Sequence, residues 1–226
     1  GNSYNPTPIS TNGCERLNVS PVRFTDGPRG VVMGHATCFP VSMARGASFD
    51  RDLERRVGDV IGKEARAQGA NLFAGVCINL LRHPAWGRAQ ETYSEDPYHL
   101  GEMGKALTES VQHHNVMACL KHYALNNIEN SRFSVNVLVD ERTLREVYLP
   151  HFKKCIDAGA ASVMGAYNRF RGDHCCESEH LLTTVLRKDW HFDVFALSYF
   201  VFGIRYTKRA IETGMDLEMP MPIHYK

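Results

Sequence analysis

The sequence lacks an excess of either charge: 26 Lys and Arg face 25 Asp and Glu, leaving a formal charge of +1. So close a balance excludes the long-range field with which proteins gather nucleic acid or anionic membranes, and it predicts a neutral or locally recognised ligand. Long apolar runs are missing as well. A bilayer-spanning helix needs roughly 20 such residues, and the opening GNSYNPTPIS has no basic-then-apolar signal pattern. These absences predict a soluble protein with any targeting segment absent or already removed, and they leave a secreted origin open. None of the seven cysteines forms a C-x-x-C pair. That argues against zinc and, with the odd count, for mostly buried free thiols. Cys175 and Cys176 are placed in a loop where either could pair with Cys14 or Cys38, so the redox compartment stays open. Repeats and low-complexity linkers are also absent, and residues 1–226 read as one domain. Nothing in the pattern calls for a metal or cofactor.

What is present is a 43% hydrophobic chain, able to bury a substantial core and near the size at which a one-domain α/β barrel becomes feasible. Short β-type runs alternate with longer helical ones. VRFTD (22–26), NLFAGVCINL (71–80), VMACLKHY (116–123) and SVNVLV (134–139) read as strands, followed by ASVMGAYN, VFALSYF and GMDLEMP. Helices are predicted over 49–69, with Leu53, Val57, Val60 and Ile61 on one face, and from about Pro97. A third is expected over 140–159, capped by Asp140, closed on Gly159 and broken near Pro150. Apolar, non-alternating strands separated by helices argue for a parallel sheet covered on both faces. A (β/α) barrel is the first choice and an open doubly wound sheet the second. About seven strand candidates leave a full eight-stranded barrel open, and an incomplete or collapsed one with it.

Chemistry in such folds gathers at the carboxyl ends of the strands, and the polar motifs lie there. TDGPRG places Asp26 before a Gly-Pro turn, and by itself reads as a turn former. WGRAQETYSEDP gathers Arg88, Glu91, Glu95 and Asp96 in one loop, alone no more than a solvated ionic cluster. CLKHY ends a strand on Lys121 and His122, which regular strand geometry would send to opposite faces unless the strand end is irregular. Asn126, Glu129 and Arg132 follow in a polar loop, and Met164 and Tyr167 stand at another strand end. Met is usually core filler and Tyr often a rim residue. Taken together, hydrogen-bonding groups converging from several strand ends suit a small polyhydroxylated ligand.

The ordered set TDGPRG, WGR…E.YSEDP, KHY..N..EN.R, DERTLREVYLPHF, VMGAYN, LL…LRKDWHFD and GMDLEMP closely resembles the N-terminal barrel of glycoside hydrolase family 3, the β-glucosidase and β-xylosidase type, from about Pro21 to Pro220. The resemblance implies an α/β, (β/α)8 TIM-like barrel and a retaining mechanism on terminal β-linked glucosides or xylosides. In that mechanism an aspartate forms a covalent glycosyl-enzyme, and a second carboxyl group serves as acid and then base. It implies that Asp26, Arg88, Lys121, His122 and Arg132 bind the terminal sugar, with Met164, Tyr167 and Phe200 around the reacting ring. It implies no metal and no cofactor.

The run WHFDVFALSYF is similar to the family's W-G-F-D-G-F-V-V-S-D-W and aligns with it without a gap, placing Tyr199 at the nucleophile position and Phe200 at the following tryptophan. A carboxylate with a pKa near 4 is an anion at neutral pH, whereas a phenol with a pKa near 10 is neutral and bulkier. His191 and Val194 replace the two glycines of that run, and Tyr206 stands where relatives often carry aspartate. The family's acid/base glutamate often comes from a following α/β domain, which the chain stops short of, so a further domain or partner chain would have to supply it. Three readings stay open: an impaired β-glycosidase barrel, a non-catalytic sugar-binding or scaffold protein, and altered chemistry with Tyr199 as general acid or nucleophile. The last has precedent in the tyrosine nucleophile of sialidases.

Overall fold

The computed structural model describes residues 6–225. Its main sheet has six strands in the order β1 (Ile9–Ser10), β2 (Arg23–Thr25), β3 (Leu72–Cys77), β4 (Met117–Tyr123), β6 (Ser162–Gly165) and β9 (Phe195–Leu197). All neighbours pair in parallel except β1, which runs antiparallel to β2 at the edge. Strands that each follow a helix and pair with the next in sequence form a barrel-type sheet rather than a doubly wound one, whose strand order reverses. The fold is α/β, an incomplete TIM-like barrel.

Alternation along each strand divides the interior in two. Phe73, Val76, Ala118, Leu120, Val163 and Ala196 pack in the large core under the helices. Leu72, Ala74, Cys119, Met164 and Leu197 turn inward with Phe24 and Met219 to fill the concave side. A strand buried on both faces has no polar side to show, which is why these runs lack alternation in the sequence.

The outer layer is built from α2 (Arg51–Ala67), α3 (Pro97–Gln112) and α5 (Pro150–Asp157), with α2 against α3 and α3 against α5. Asp50 caps α2 by accepting from the Leu53 N–H at 2.8 Å, and Asp96 caps α3 from the His99 N–H at 2.6 Å, with Pro97 in the first turn. The helix expected over 140–159 is interrupted as its proline requires. Asp140 caps a short α4 (Glu141–Thr143), a π-type turn spans Leu144–Tyr148, and α5 begins at Pro150.

Several expectations are corrected. SVNVLV is not a barrel strand: only Asn136–Val137 (β5) extends, pairing with β7 (Arg169–Phe170) in a small separate sheet that β8 (Asp173–His174) completes. Residues along this run alternate between exposed and half-buried, with Val137 and Val139 against the core, so the segment is covered on one face only. GMDLEMP contributes one bridge, Leu217 to Leu197, in place of a strand. Cys175 and Cys176 sit buried in a helical turn rather than in an open loop, and neither pairs with Cys14 or Cys38; all seven thiols are free. His191, which the resemblance sets against a family glycine, has φ +54° in the turn into β9, a left-handed conformation that glycine adopts at less cost.

Glu54, on the inner face of α2, is fully buried. It accepts from Arg45 Nε and Nη2 at 2.7 and 3.1 Å and from the Tyr93 hydroxyl at 2.6 Å. Arg45 comes from the short α1 (Ser42–Gly46), so this pair ties the segment after β2 to the helical layer. Removing one partner strands a buried charge, and Arg45→Ala should lower the unfolding free energy by about 3–5 kcal/mol, read from urea denaturation.

Candidate functional site

Each polar side chain singled out above stands beyond the carboxyl end of a parallel strand. Asp26 follows β2, Arg88 lies in the loop after β3, Lys121 and His122 end β4, and Arg132 is in the loop after it. Met164 and Tyr167 come from β6 and its exit, and Tyr199 and Phe200 follow β9. The register of β4 against β6 shifts between Lys121 and Tyr123. The strand end is thus irregular, the exception under which Lys121 and His122 need not point apart, because a bulge re-aims the side chains around it.

The cations are matched to carboxylates one for one. Lys121 Nζ donates to Asp26 Oδ1 at 2.5 Å with the lysine side chain 2% exposed. Arg88 donates through Nε and Nη2 to Glu91 at 3.0 and 2.5 Å, a two-pronged pair that fixes the guanidinium plane. Arg132 donates to Glu129 at 2.8 Å, and Glu129 is held from its other side by Trp86 Nε1 at 3.2 Å. Burial opposes the charge on Lys121, but Asp26 and the other electronegative groups around it outweigh burial and raise its pKa. Burial likewise works to raise the Glu91 carboxyl, yet Arg88 holds it below the usual range.

His122 is the neutral member. Asn79 Oδ1 accepts from the His122 N–H at 2.7 Å and lies 3.2 Å from Nδ1, while Asn79 Nδ2 donates to the His122 carbonyl at 2.8 Å. Nδ1 is therefore the protonated nitrogen, and Nε2 accepts from Arg88 Nη1 at 3.0 Å. Burial first, then Arg88, Lys121 and Arg132, press its pKa well below the normal value.

Tyr199 lies at the centre of this array. Its ring stacks on His122 with centroids 4.4 Å apart and planes at 21°, and on Tyr167 at 3.7 Å and 8°. Its hydroxyl accepts from Arg88 Nη1 and is 3.5 Å from Arg132 Nη1, whose guanidinium sits 5.7 Å from the ring centroid. Burial raises the phenol pKa, and the neighbouring cations only partly counter it. The Tyr167 hydroxyl donates to the Phe200 carbonyl, and the Phe200 ring turns onto Phe24 at 4.7 Å. Met164 is 1% exposed in the concave cluster on which Tyr199 and Phe200 rest.

Asp26, Arg88, Lys121, His122, Arg132, Tyr167 and Tyr199 thus converge, with Met164 beneath and Phe200 to one side. Asn79 was missed, although it sets the tautomer and orientation of His122; an asparagine two residues past a buried strand was the available signal. Glu91 and Glu129 stood in the sequence as loop charges, and their role as partners of the site arginines emerges only from the i, i+3 spacing in the folded loops. Tyr206 is 67% exposed and stays away from the cluster, projecting from the start of α6 (Thr207–Thr213).

A curled parallel sheet with ionisable groups converging at its carboxyl edge defines an α/β-barrel protein. The sequence profile described as glycosyl hydrolase family 3 N terminal domain matches residues 15–225, and the chain belongs to this family. It is 38% identical to the thermostable β-glucosidase B of Acetivibrio thermocellus, over 93% of this chain and 30% of that protein. It is 37% identical to the β-glucosidase of Kluyveromyces marxianus, over 96% of this chain and 26% of that one. Among solved structures, β-glucosidase 3B from Thermotoga neapolitana in complex with glucose superposes with a TM-score of 0.89 at 34% identity, over 93% of this chain and 31% of that one. The chain therefore spans about 30% of the length of such relatives. No helix among the described residues is long and apolar enough to cross a membrane.

The buried histidines give a pH signature. His122 is held well below its usual pKa and burial takes His151 down to about 3, whereas both return to about 6.5 on unfolding. Below that value the unfolded chain binds protons the native one refuses, so stability should fall as pH drops from 6.5 toward 4. Replacing His151 by Leu should flatten that slope by up to one proton's worth, roughly 1.4 kcal/mol per pH unit, read from denaturation at several pH values.

Proposed function

We propose that the chain is a β-glycosidase-type barrel domain whose sugar pocket is filled by its own Tyr199, making it catalytically silent as it stands while the sugar-binding frame is kept. The observation that carries this is the seat of the Tyr199 ring, sandwiched between His122 and Tyr167 with its hydroxyl on Arg88. In this reading Asp26, Lys121, Arg88, His122 and Arg132 form the frame for a terminal β-glucoside-like sugar, and Met164, Tyr167 and Phe200 its apolar wall. The parent reaction is hydrolysis of terminal β-linked glucosides or xylosides, with the second carboxylate contributed by a separate domain or chain.

Tyrosine as the nucleophile is the weaker reading. That chemistry needs a base to take the phenol proton. The groups on the Tyr199 oxygen are guanidiniums, which only donate, and burial makes the proton harder to remove. His122 stacks on the ring and directs its acceptor nitrogen at Arg88, not at the hydroxyl.

The test is calorimetric titration of glucose and a glucose-like iminosugar into the native chain and Tyr199→Asp, with aryl β-glucoside hydrolysis followed on both. The aspartate variant should bind at least about tenfold more tightly than the native chain. Turnover should stay slow, because general acid–base assistance worth roughly 10²- to 10⁴-fold comes from elsewhere. Binding or turnover by the tyrosine form that disappears on substitution would show that Tyr199 has its own chemistry. No binding by either, with both folded, would remove the sugar-frame reading altogether.

A further inference from the structure

A cleft of about 560 Å³ opens between the β7–β8 hairpin and the segment entering α6. Its two acidic residues are already engaged. The Glu177 carboxylate is buried and accepts from the backbone N–H groups of Arg205 and Tyr206, while Asp173 pairs with Arg209. Arg169 and Arg205 line the same cleft, and among the described residues neither has a carboxylate within 4.0 Å.

The contacts these two arginines do make leave their charge intact. Arg169 Nε donates to His174 Nε2 at 3.3 Å, and His174 Nδ1 lies 3.3 Å from the Tyr167 carbonyl, so the imidazole is neutral with its acceptor turned to Arg169. The Arg205 guanidinium sits 5.7 Å from the Phe202 ring centroid. Two guanidiniums with no carboxylate in contact, in one concave site, are suited to an oxyanion, whose planar or tetrahedral oxygens match the forked donors. Phe133 and Tyr206, 45% and 67% exposed, add flat apolar surface to the same walls. The volume falls in the range of small-ligand sites, ample for a monosaccharide.

We propose that this cleft is a second binding site, taking a small sugar that carries an oxyanion, with Arg169 and Arg205 on the anionic group and Phe133 and Tyr206 against the ring. The proposal does not depend on what Tyr199 does. The two sites are nonetheless neighbours: the Phe133 ring lies 4.7 Å from Tyr167, which in turn stacks on Tyr199.

The experiment is calorimetric titration of glucose 6-phosphate, glucuronate and glucose into the native chain, Arg169→Gln, Arg205→Gln and the double variant. Lys208→Gln, at a lysine 86% exposed outside the cleft, serves as the control. At least one of the two anions should bind saturably. Each arginine change should weaken it about tenfold and the double change abolish it, with the control unaffected. The tighter of the two identifies phosphate or carboxylate as the preferred group. Failure of both anions to bind, anion binding that survives in the folded double variant, or glucose binding as tightly as the anions with equal loss in the variants would overturn the proposal.

Discussion

The pairing of buried cations with carboxylates at the carboxyl edge of the sheet is the constraint on which the rest of the site depends. A lysine 2% exposed, as Lys121 is, stays charged only with an anion in contact, and Asp26 must therefore be delivered from the end of β2 to the end of β4. The two strands are not neighbours: β3 lies between them, and the ion pair crosses over its end. Arg88 and Arg132 find Glu91 and Glu129 within their own loops, which frees those loops to fold locally and then dock. Each of the three cations has one acid, so the array is close to neutral before any ligand enters.

That balance bears directly on the residue at position 199. An aspartate there would add a fourth carboxylate facing Arg88 and Arg132, leaving an anion in excess and poised to attack. A phenol adds no charge, so the three pairs remain balanced, and its hydroxyl satisfies the one remaining donor that Arg88 turns inward. Two stacked faces, each worth roughly 0.5–1.5 kcal/mol, then hold the ring in place. A neutral ring at position 199 thus leaves the charge balance of the pocket unchanged, whereas an aspartate would shift it by one negative charge.

Much of the fold was legible because its signals are local. Asp140 announced its helix through cap chemistry, Pro97 suited a first helical turn, and Pro150 marked a break. The buried parallel strands declared themselves by unrelieved apolar runs. SVNVLV misled because a short alternating run in a polar loop resembles a barrel strand until its exposure is known. GMDLEMP misled because its apolar residues serve the concave cluster from a segment that makes only one bridge. At the site, residue types at strand ends identified the ionic groups, whereas the bond network did not follow from them. Glu54 lies three and seven residues before Val57 and Ile61, on the buried face of α2, and its burial depends on Arg45 and Tyr93 arriving from elsewhere in the chain. The irregularity at Lys121–Tyr123 is likewise set by pairing with β6, which no window of sequence around Lys121 contains.

The ionic array and position 199 differ in what the fold asks of them. Asp26, Lys121, Arg88 and Asn79 each hold a group on a different strand or loop, and Glu91 holds Arg88 within its own. Deleting one member would leave its partner unpaired at a cost of about 3–5 kcal/mol for a buried ion pair. Position 199 is different, because an aspartate there has no buried counter-charge of its own to abandon: Arg88 keeps Glu91 and Arg132 keeps Glu129. A tyrosine there breaks no structural pair, and its ring gains stacking on His122 and Tyr167. Position 199 is therefore the point in the array where a change of residue type breaks no buried ion pair and leaves the barrel edge intact.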